Sequence, residues 1–288
     1  MNALLLAGPG LIWGASFLFI AEGLGSVGPF GVTFLRILVG FAALSLVPAV
    51  RTPIPRSTWL PVAGLSFVWM AFPLTMFPLA EQHVSSALTG MLNGANPVFT
   101  AIVASVLARR APSRAIIVGL ATGVAGAVLM ALPTLGAGRS SFTGIALIVA
   151  ALVSYGFALN IARPLQLQFG ALPVIWRALA LAVIATAPLG LRDVAKAHWT
   201  LGPALSLLAL GALGTGAAYV MLATAAGRVG AIRASATTFL IPPVALVLGV
   251  LIRHESVAFI SIVGGAVCLA GAWIMYRAQL EQAQPGTD

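Results

Sequence analysis

The 288-residue sequence has very little charge. Asp, Glu, Lys and Arg make up 7% of its residues, against about 25% in ordinary soluble domains, while hydrophobic residues make up 60%. So few ionisable side chains cannot cover a globule of this size in water, which excludes a soluble enzyme or a soluble regulatory domain. The composition therefore predicts an integral membrane protein.

Cysteine and acidic residues are scarce as well. The single cysteine, Cys268, lies in an apolar run and can form neither an intramolecular disulfide nor a cysteine-based metal cluster. None of the six Asp and Glu residues lies in the middle of an apolar run, whereas a proton-driven pump for cations needs a buried carboxylate. We therefore predict weak or no coupling through a carboxylate relay.

Catalytic and nucleotide-binding motifs are also missing. The sequence has no Gly-x-Ser-x-Gly, no His-Glu-x-x-His and no P-loop Gly-Lys pair. Its fourteen Arg and one Lys are spread singly, whereas nucleic-acid binding needs clustered phosphate contacts. We expect no enzyme, ATP-driven pump or nucleic-acid partner, and no metal or cofactor.

What the chain has in abundance is apolar runs long enough to cross a bilayer. They do not alternate like the strands of an outer-membrane barrel, so the predicted fold is an all-α integral membrane protein with ten transmembrane helices. The first run lacks the basic start of a secretory leader and is expected to be retained, and residues from Tyr276 on are expected to fray. The ten runs cover approximately residues 3–23, 30–50, 58–79, 83–107, 114–133, 142–162, 172–190, 201–225, 232–252 and 257–276.

Basic residues in the loops predict the orientation. With the N-terminus inside, nine arginines fall on the cytoplasmic side and four Lys or Arg on the other. Because Lys and Arg are enriched in short cytoplasmic loops, both termini are predicted to be cytoplasmic.

Similar motifs recur at a nearly constant offset. Arg36 and Arg177 are 141 residues apart, and Asn96-Pro97 and Pro242-Pro243 are 146 apart. These offsets indicate that the first five predicted helices recur as the second five. Because each copy holds an odd number of helices, the second copy must be inverted in the membrane relative to the first, as in many secondary transporters. The predicted organisation is a first repeat over 1–135, a second over 140–278 and a cytoplasmic tail over 279–288.

Several segments of the sequence resemble those of a known family. Leu11-Ile-Trp-Gly-Ala-Ser-Phe17, the Gly28-Pro29 turn and Phe34-Leu35-Arg36 resemble the opening of the EamA-domain transporters of the drug/metabolite transporter superfamily. The small-residue segments Ala87–Val98 and Ala234–Val244 are similar to their fourth and ninth helices. The resemblance covers nearly the whole chain. It implies a ten-helix basket with cytoplasmic termini, usually in a bacterial inner membrane, that exports amino acids or other small metabolites.

The chain departs from this family at one pair of positions. Family members often carry a Gly-Glu pair after the fourth and ninth helices. Here Leu107-Ala-Arg-Arg110 lacks the pair, and Ile252-Arg-His-Glu255 keeps only the acid. The departure puts loop contacts in doubt, and not the fold.

A transporter needs polar or aromatic residues around a cavity at mid-depth and helices that can bend there. Several candidates have an alternative interpretation. Trp69, Phe72 and Met76 fit a packed or lipid-facing aromatic stripe, and Asn93 and Asn96 fit interhelical hydrogen bonds. For Trp13, Ser16, Tyr155 and Asn160 the alternative is helix packing. Arg36 and Arg177 have two possible roles. They are anchors that bond carbonyls or headgroups, or one of them, Arg36 above all, binds a substrate carboxylate. The candidate cavity residues are Trp13, Ser16, Arg36, Trp69, Phe72, Met76, Met91, Asn93, Asn96, Tyr155, Asn160, Thr237 and Thr238, and the candidate hinges are Pro73, Pro97, Pro242 and Pro243.

Together these features predict an exporter of small amphipathic metabolites that works by alternating access. Amino acids come first, with aromatic or large apolar side chains favoured within that class. The alternatives are export of other small metabolites or drugs, or a membrane scaffold without transport. The expected partners are a small-molecule substrate and membrane lipids, and the sequence leaves the oligomeric state open while being compatible with a monomer.

Overall fold

The computed structural model describes residues 3–109, 112–135, 139–229 and 231–283, and every regular element in these ranges is helical. In a chain with this composition, helices let each backbone N–H and C=O pair within its own segment, as hydrocarbon requires. The α-helices are α1 (Ala3–Leu24), α2 (Pro29–Ser45), α3 (Trp59–Leu65), α4 (Phe72–Glu81), α5 (Ser86–Asn93), α6 (Asn96–Ala108), α7 (Arg114–Leu135), α8 (Arg139–Phe169), α9 (Ala171–Ala195), α10 (Leu201–Gly211), α11 (Ala218–Val229), α12 (Ala231–Ser235), α13 (Ile241–Arg253) and α14 (Phe259–Ala283).

The number of spans falls short of the predicted ten. Eight helical segments in the described ranges are long and apolar enough to cross a membrane. The count becomes nine if α5 and α6, which meet at a bend of 40°, form one span. Helix α2 is apolar but has only 17 residues. The chain is therefore a multi-pass membrane protein, and the tenth span stays a prediction.

Several predicted boundaries are wrong. Helix α2 ends at Ser45 because Pro48 starts a separate 3₁₀ turn, Pro48–Arg51. Helices α7 and α8 include residues 133–135 and 139–141, which were expected to be loop. The expected fraying from Tyr276 is wrong as far as Ala283, because α14 continues to that residue; residues 284–288 lie outside the described part.

In the described ranges four interruptions break the long apolar segments, three near the middle of a segment and one near its start. Two are π-helical turns, Ser66–Ala71 between α3 and α4 and Ala212–Ala217 between α10 and α11. The others are the bend between α5 and α6 and the 3₁₀ turn Ala236–Leu240 between α12 and α13. The predicted hinge prolines lie directly after three of them, where a residue without an N–H leaves no donor unpaired: Pro73 in α4, Pro97 in α6, and Pro242 and Pro243 in α13.

Glycines allow α7 and α14 to pack against each other at close range. A Cβ on Gly126 would overlap the backbone of Cys268, and one on Gly271 would overlap the backbone of Gly123. Small residues at such positions are typical of helix contacts in membranes. Elsewhere α2 packs on α9, and α1 packs on α13.

One end of the bundle, which we call the capped end, joins helix ends through the charged residues Glu22, Asp193, Arg253 and Glu255. Arg253 pairs with Glu22 and with Glu255. Glu255 also accepts hydrogen bonds from the first residues of α5, and Asp193 Oδ2 accepts them from the backbone N–H groups of Phe30 and Gly31 at the start of α2. These carboxylates satisfy the unpaired N–H groups of helix N-termini.

At the opposite end, Arg177 acts as an anchor for backbone carbonyls. Its guanidinium donates to the carbonyl oxygens of Val50 (3.3 Å), Thr52 (3.0 Å) and Pro173 (3.1 Å). The anchor interpretation is thereby confirmed for this arginine.

Candidate functional site

A cavity of about 190 Å³ lies among the helix interruptions. Eight of the predicted cavity residues line it: Trp13, Ser16, Arg36, Trp69, Asn93, Asn96, Tyr155 and Thr238. The other lining residues, which the sequence did not single out, are Phe17, Leu74, Phe77, Leu159, Tyr219, Leu222, Ser235 and Ile241.

Each interruption contributes to the wall of this cavity. Trp69 lies within the first π turn, and Tyr219 is the second residue after the second one. Asn93 and Asn96 flank the bend between α5 and α6, and Thr238 lies in the 3₁₀ turn. Irregular backbone at membrane depth is tolerated where it is buried in protein or lines a cavity. The cavity therefore accounts for the position of these interruptions.

The second π turn holds two of the lining side chains. Trp13 Nε1 donates a hydrogen bond to the carbonyl oxygen of Gly214 over 2.8 Å. Arg36 Nε donates to Thr215 Oγ1 over 3.2 Å. A π turn changes the i→i−4 pairing of the helix, and here its carbonyl and hydroxyl groups bind side chains from α1 and α2.

Arg36 brings an unneutralised charge to the cavity. Its side chain is buried, with 7% exposed, and no carboxylate among the described residues lies within 4.0 Å of it. The bond to Thr215 is its only hydrogen bond to the described part of the chain. Arg36 thus bonds a hydroxyl group of the second π turn and lines the cavity, where a buried cation without a counter-charge is costly.

Aromatic rings surround the rest of the cavity. Tyr219 packs edge-on against Trp13 and Trp69, with ring centroids 5.7 Å apart in both pairs. Phe77 packs against Phe17 at 5.5 Å and against Tyr155 at 6.0 Å. All of these pairs are edge-to-face except Phe77–Tyr155, whose rings are tilted by 34°. Aromatic contacts of this kind are favourable and make a wall suited to an apolar group.

Asn93 presents a polar atom without a hydrogen-bond partner among the described residues. Its Oδ1 is buried and receives no hydrogen bond from any described residue. An orphaned buried acceptor costs about 1–3 kcal/mol, so a donor that enters the cavity and reaches it recovers that energy. The described residues contain no group of three His, Cys, Asp or Glu side chains that could hold a metal ion.

Five predicted residues lie outside the cavity wall. Asn160 Nδ2 donates to the carbonyl oxygen of Gly156 within α8 and to that of Thr100 on α6, so its amide joins two helices. Met91 is a core residue, and Thr237 Oγ1 accepts from the backbone N–H of Gly10. Phe72 packs beside the exposed Phe67, and Met76 packs against the core.

The first π turn explains why Phe72 and Met76 miss the cavity. An ordinary helix places residues three and four apart on the same face as Trp69, and this spacing led to both candidates. The π turn has an i→i+5 repeat, and the next lining residue is Leu74, five positions after Trp69, followed by Phe77. Periodicity in the sequence carried no signal for this shift.

Comparisons with known proteins agree with this architecture. The EamA-like transporter family model matches residues 1–132 and 142–277. A probable terminal-alkyne amino-acid exporter of Streptantibioticus cattleyicolor is 28% identical, over 95% of this chain and 94% of its own length. An uncharacterized transporter of Bacillus subtilis, YdfC, is 25% identical, over 92% of this chain and 87% of its own.

A solved crystal structure shares the fold. It aligns with 98% of this chain and 99% of its own, with a TM-score of 0.62 and 19% sequence identity. At that identity the likeness shows the fold alone.

Proposed function

Because the chain belongs to the EamA-like transporter family, we propose that it is a secondary transporter that exports small zwitterionic metabolites, amino acids first, across a bacterial inner membrane. The proposal places both termini in the cytoplasm, as the loop arginines predict. Within the amino acids, those with apolar side chains are favoured.

The observation that carries the proposal is the unneutralised Arg36 guanidinium at the cavity. An amino acid brings a carboxylate that pairs with Arg36. It also brings an ammonium group, which can donate to the unpartnered Oδ1 of Asn93. The rings of Trp13, Trp69 and Tyr219 then leave an apolar wall for the side chain. A zwitterion with an apolar side chain therefore matches all three features.

The size of the cavity favours a small solute. The cavity measures about 190 Å³. Sites for drug-sized ligands start at about 300 Å³. The similarity to a probable terminal-alkyne amino-acid exporter supports the same substrate class, with a compact apolar side chain.

Alternating access is proposed to use the predicted repeats, 1–135 and 140–278, as two bodies that rock about the cavity. The pairing of elements supports this idea: the first π turn packs on α9, and the second packs on α2. The prolines after the interruptions are the proposed hinges. Such rocking around a midplane site is the common mechanism of transporters with inverted repeats.

Counterflow in proteoliposomes tests the proposal. Vesicles loaded with one unlabelled solute are assayed for uptake of its labelled form, using phenylalanine, leucine and propargylglycine, which ends in a terminal alkyne, beside a nucleoside and a sugar. We expect counterflow for the amino acids. If none of them moves while an established exporter works under the same conditions, the proposal is wrong, and selective movement of another solute favours the alternative of general metabolite export.

A matched pair of arginine variants tests the binding role. Arg36→Leu removes the carboxylate partner, and a charge-assisted hydrogen bond contributes about 1.5–3 kcal/mol, so the half-saturating amino-acid concentration should rise roughly 10–150-fold. Arg177→Leu removes an arginine that lies outside the cavity and should leave half-saturation near the wild-type value. Equal effects of both variants contradict substrate recognition by Arg36, whereas a protein that acts only as a scaffold shows no flux in any form.

A further inference from the structure

Glu81 is a buried acid that the proposed function leaves unused. It is the last residue of α4, and both of its carboxyl oxygens are buried without a hydrogen-bond partner among the described residues. A buried ionised carboxylate without a partner is far more costly than the neutral acid. In the conformation described here, the geometry therefore favours a protonated Glu81.

Glu81 lies between the cavity and the capped end. It follows Phe77 by four residues, so both lie on one face of α4, and Phe77 lines the cavity. The ring contacts of Phe77 with Phe17 and Tyr155 form an aromatic layer there. Both carboxyl oxygens of Glu81 lack accessible surface although the cavity is present, and this layer is the structure that we assign as the barrier between the two.

The charged groups around Glu81 belong to the capped end and the cavity. Glu255, Arg253 and Arg36 act on it electrostatically. Of the elements packed against α4, α2 carries Arg36, α1 carries Glu22 at this end, and α8 begins with Arg139 and carries Tyr155. The first π turn and α5 have no charged residue. His83 lies two residues further along its own segment.

We infer that Glu81 is the pH-sensitive switch of the capped end: it takes up a proton when this end closes and releases it when the end opens to water. Opening must separate the loop that carries Glu255 from the start of α5, since three hydrogen bonds join them. Water then reaches Glu81 and stabilises its ionised form. The switch regulates the transport proposed above and presupposes that function's access change.

The sign of the pH dependence follows from this proton uptake. The closed state binds one proton more than the open state, so falling pH favours closure and rising pH favours opening. For one proton the closed-to-open ratio changes up to about tenfold per pH unit over the range in which Glu81 titrates. Because the aromatic layer separates Glu81 from the cavity, the proton comes from and returns to the capped end alone.

Spin labels across the capped end can measure this equilibrium. Gln82 and Ser256 are exposed, and lie on the two sides of the contact between Glu255 and α5. In a Cys268→Ala background, which removes the buried native thiol, Gln82→Cys and Ser256→Cys provide the attachment sites for the labels. Pulsed electron resonance in nanodiscs then gives the label–label distance between pH 5 and pH 8.

In the wild type we expect the short-distance population to grow as the pH falls. Glu81→Gln imitates the protonated acid and should show the short distance at every pH. Glu281→Gln, which removes an exposed carboxylate on α14, should respond as the wild type does. A wild type without pH response, or a Glu81→Gln variant that still responds, overturns the switch.

Glu81→Leu guards against a folding artefact. Because the carboxyl group has no partner, its removal leaves no group unpaired, so the leucine variant should fold and stay closed at every pH. If both Glu81 variants fail to fold, the carboxyl group has a structural role and the inference is wrong. The distance measurement needs no substrate, so it is independent of counterflow. If counterflow fails but the label–label distance still responds to pH, only the proposed substrate class is contradicted. If counterflow occurs but the distance does not respond to pH, only the switch is contradicted.

Discussion

Replacing Glu255 with Gln should remove much of the cap of α5 and lower the thermal stability of the purified protein. Oε1 of Glu255 accepts hydrogen bonds from the Ser86 backbone N–H (3.1 Å) and from its hydroxyl group (2.8 Å). Oε2 accepts from the Ala87 N–H (2.8 Å). Only 13% of the Glu255 side chain is exposed, so water cannot replace these bonds.

The size of the effect follows from what Gln keeps. Its single oxygen can still accept from Ser86, but its NH₂ group faces the N–H of Ala87, so one charge-assisted bond worth about 1.5–3 kcal/mol is lost outright. The negative charge at the helix N-terminus, worth about 0.3–1 kcal/mol, is lost as well. We expect a total loss of about 3 kcal/mol. At roughly 2–4 °C per kcal/mol for a chain of this order of size, the melting temperature should fall by roughly 6–12 °C.

Thermal unfolding in detergent measures this shift, and Glu22→Gln is the matched control. Glu22 pairs with the same Arg253, but its side chain is 39% exposed, and such exposed pairs contribute only about 0–1 kcal/mol. The control should therefore melt within roughly 4 °C of the wild type. If Glu255→Gln melts with the wild type, or if Glu22→Gln falls as far, the hydrogen bonds to α5 do not stabilise the capped end as reasoned here.

Three further substitutions test other parts of the structure. His254→Gly should raise the melting temperature, because His254 has φ 54° and Gly removes the Cβ strain of that conformation, about 1–2 kcal/mol. The extra backbone entropy of Gly costs about 0.5–1 kcal/mol, so the net gain is about 0.5–1 kcal/mol, and an unchanged or lower melting temperature contradicts this. Gly126→Ala should destabilise the protein by about 1–3 kcal/mol through overlap with the backbone of α14, whereas Gly64→Ala, with open space around it, should be neutral in the same melting assay. Trp13→Phe keeps the ring but loses the hydrogen bond to Gly214, about 0.5–1.5 kcal/mol, and should raise half-saturation in counterflow up to roughly tenfold; unchanged half-saturation means that this bond does not shape the site.

The Gly-Glu pair expected from the family resemblance has a physical explanation in this structure. Arg109 and His254, where that glycine would stand, have φ 49° and 54°, a left-handed conformation that glycine adopts without strain. Glu255, the acid that remains, caps α5. Because backbone strain of this kind costs only about 1–2 kcal/mol, the chain tolerates its departure from the pair.

Glu81 shows why linear position is a poor guide to the environment of an acid. Its place at the end of an apolar run kept it out of the candidate site residues, and the absence of mid-run acids predicted weak or no coupling through a carboxylate relay. The packing around α4 buries both oxygens instead. A residue at a helix end is exposed only if no other segment covers that end, and the cover comes from residues distant in sequence.

The sequence by itself determined that this chain spans a membrane as helices. Its composition is too apolar for a protein surrounded by water, and in hydrocarbon the backbone N–H and C=O groups can pair only with each other. It also placed Trp13, Arg36, Trp69, Asn93 and Tyr155 among the candidates, since polar and aromatic groups at mid-depth are costly unless they are used. Only the tertiary structure decided which neighbours join them at the cavity. Two π turns and two breaks shift the helical register there, bringing in Leu74, Phe77 and Tyr219, and such shifts depend on contacts between helices that are far apart in the chain.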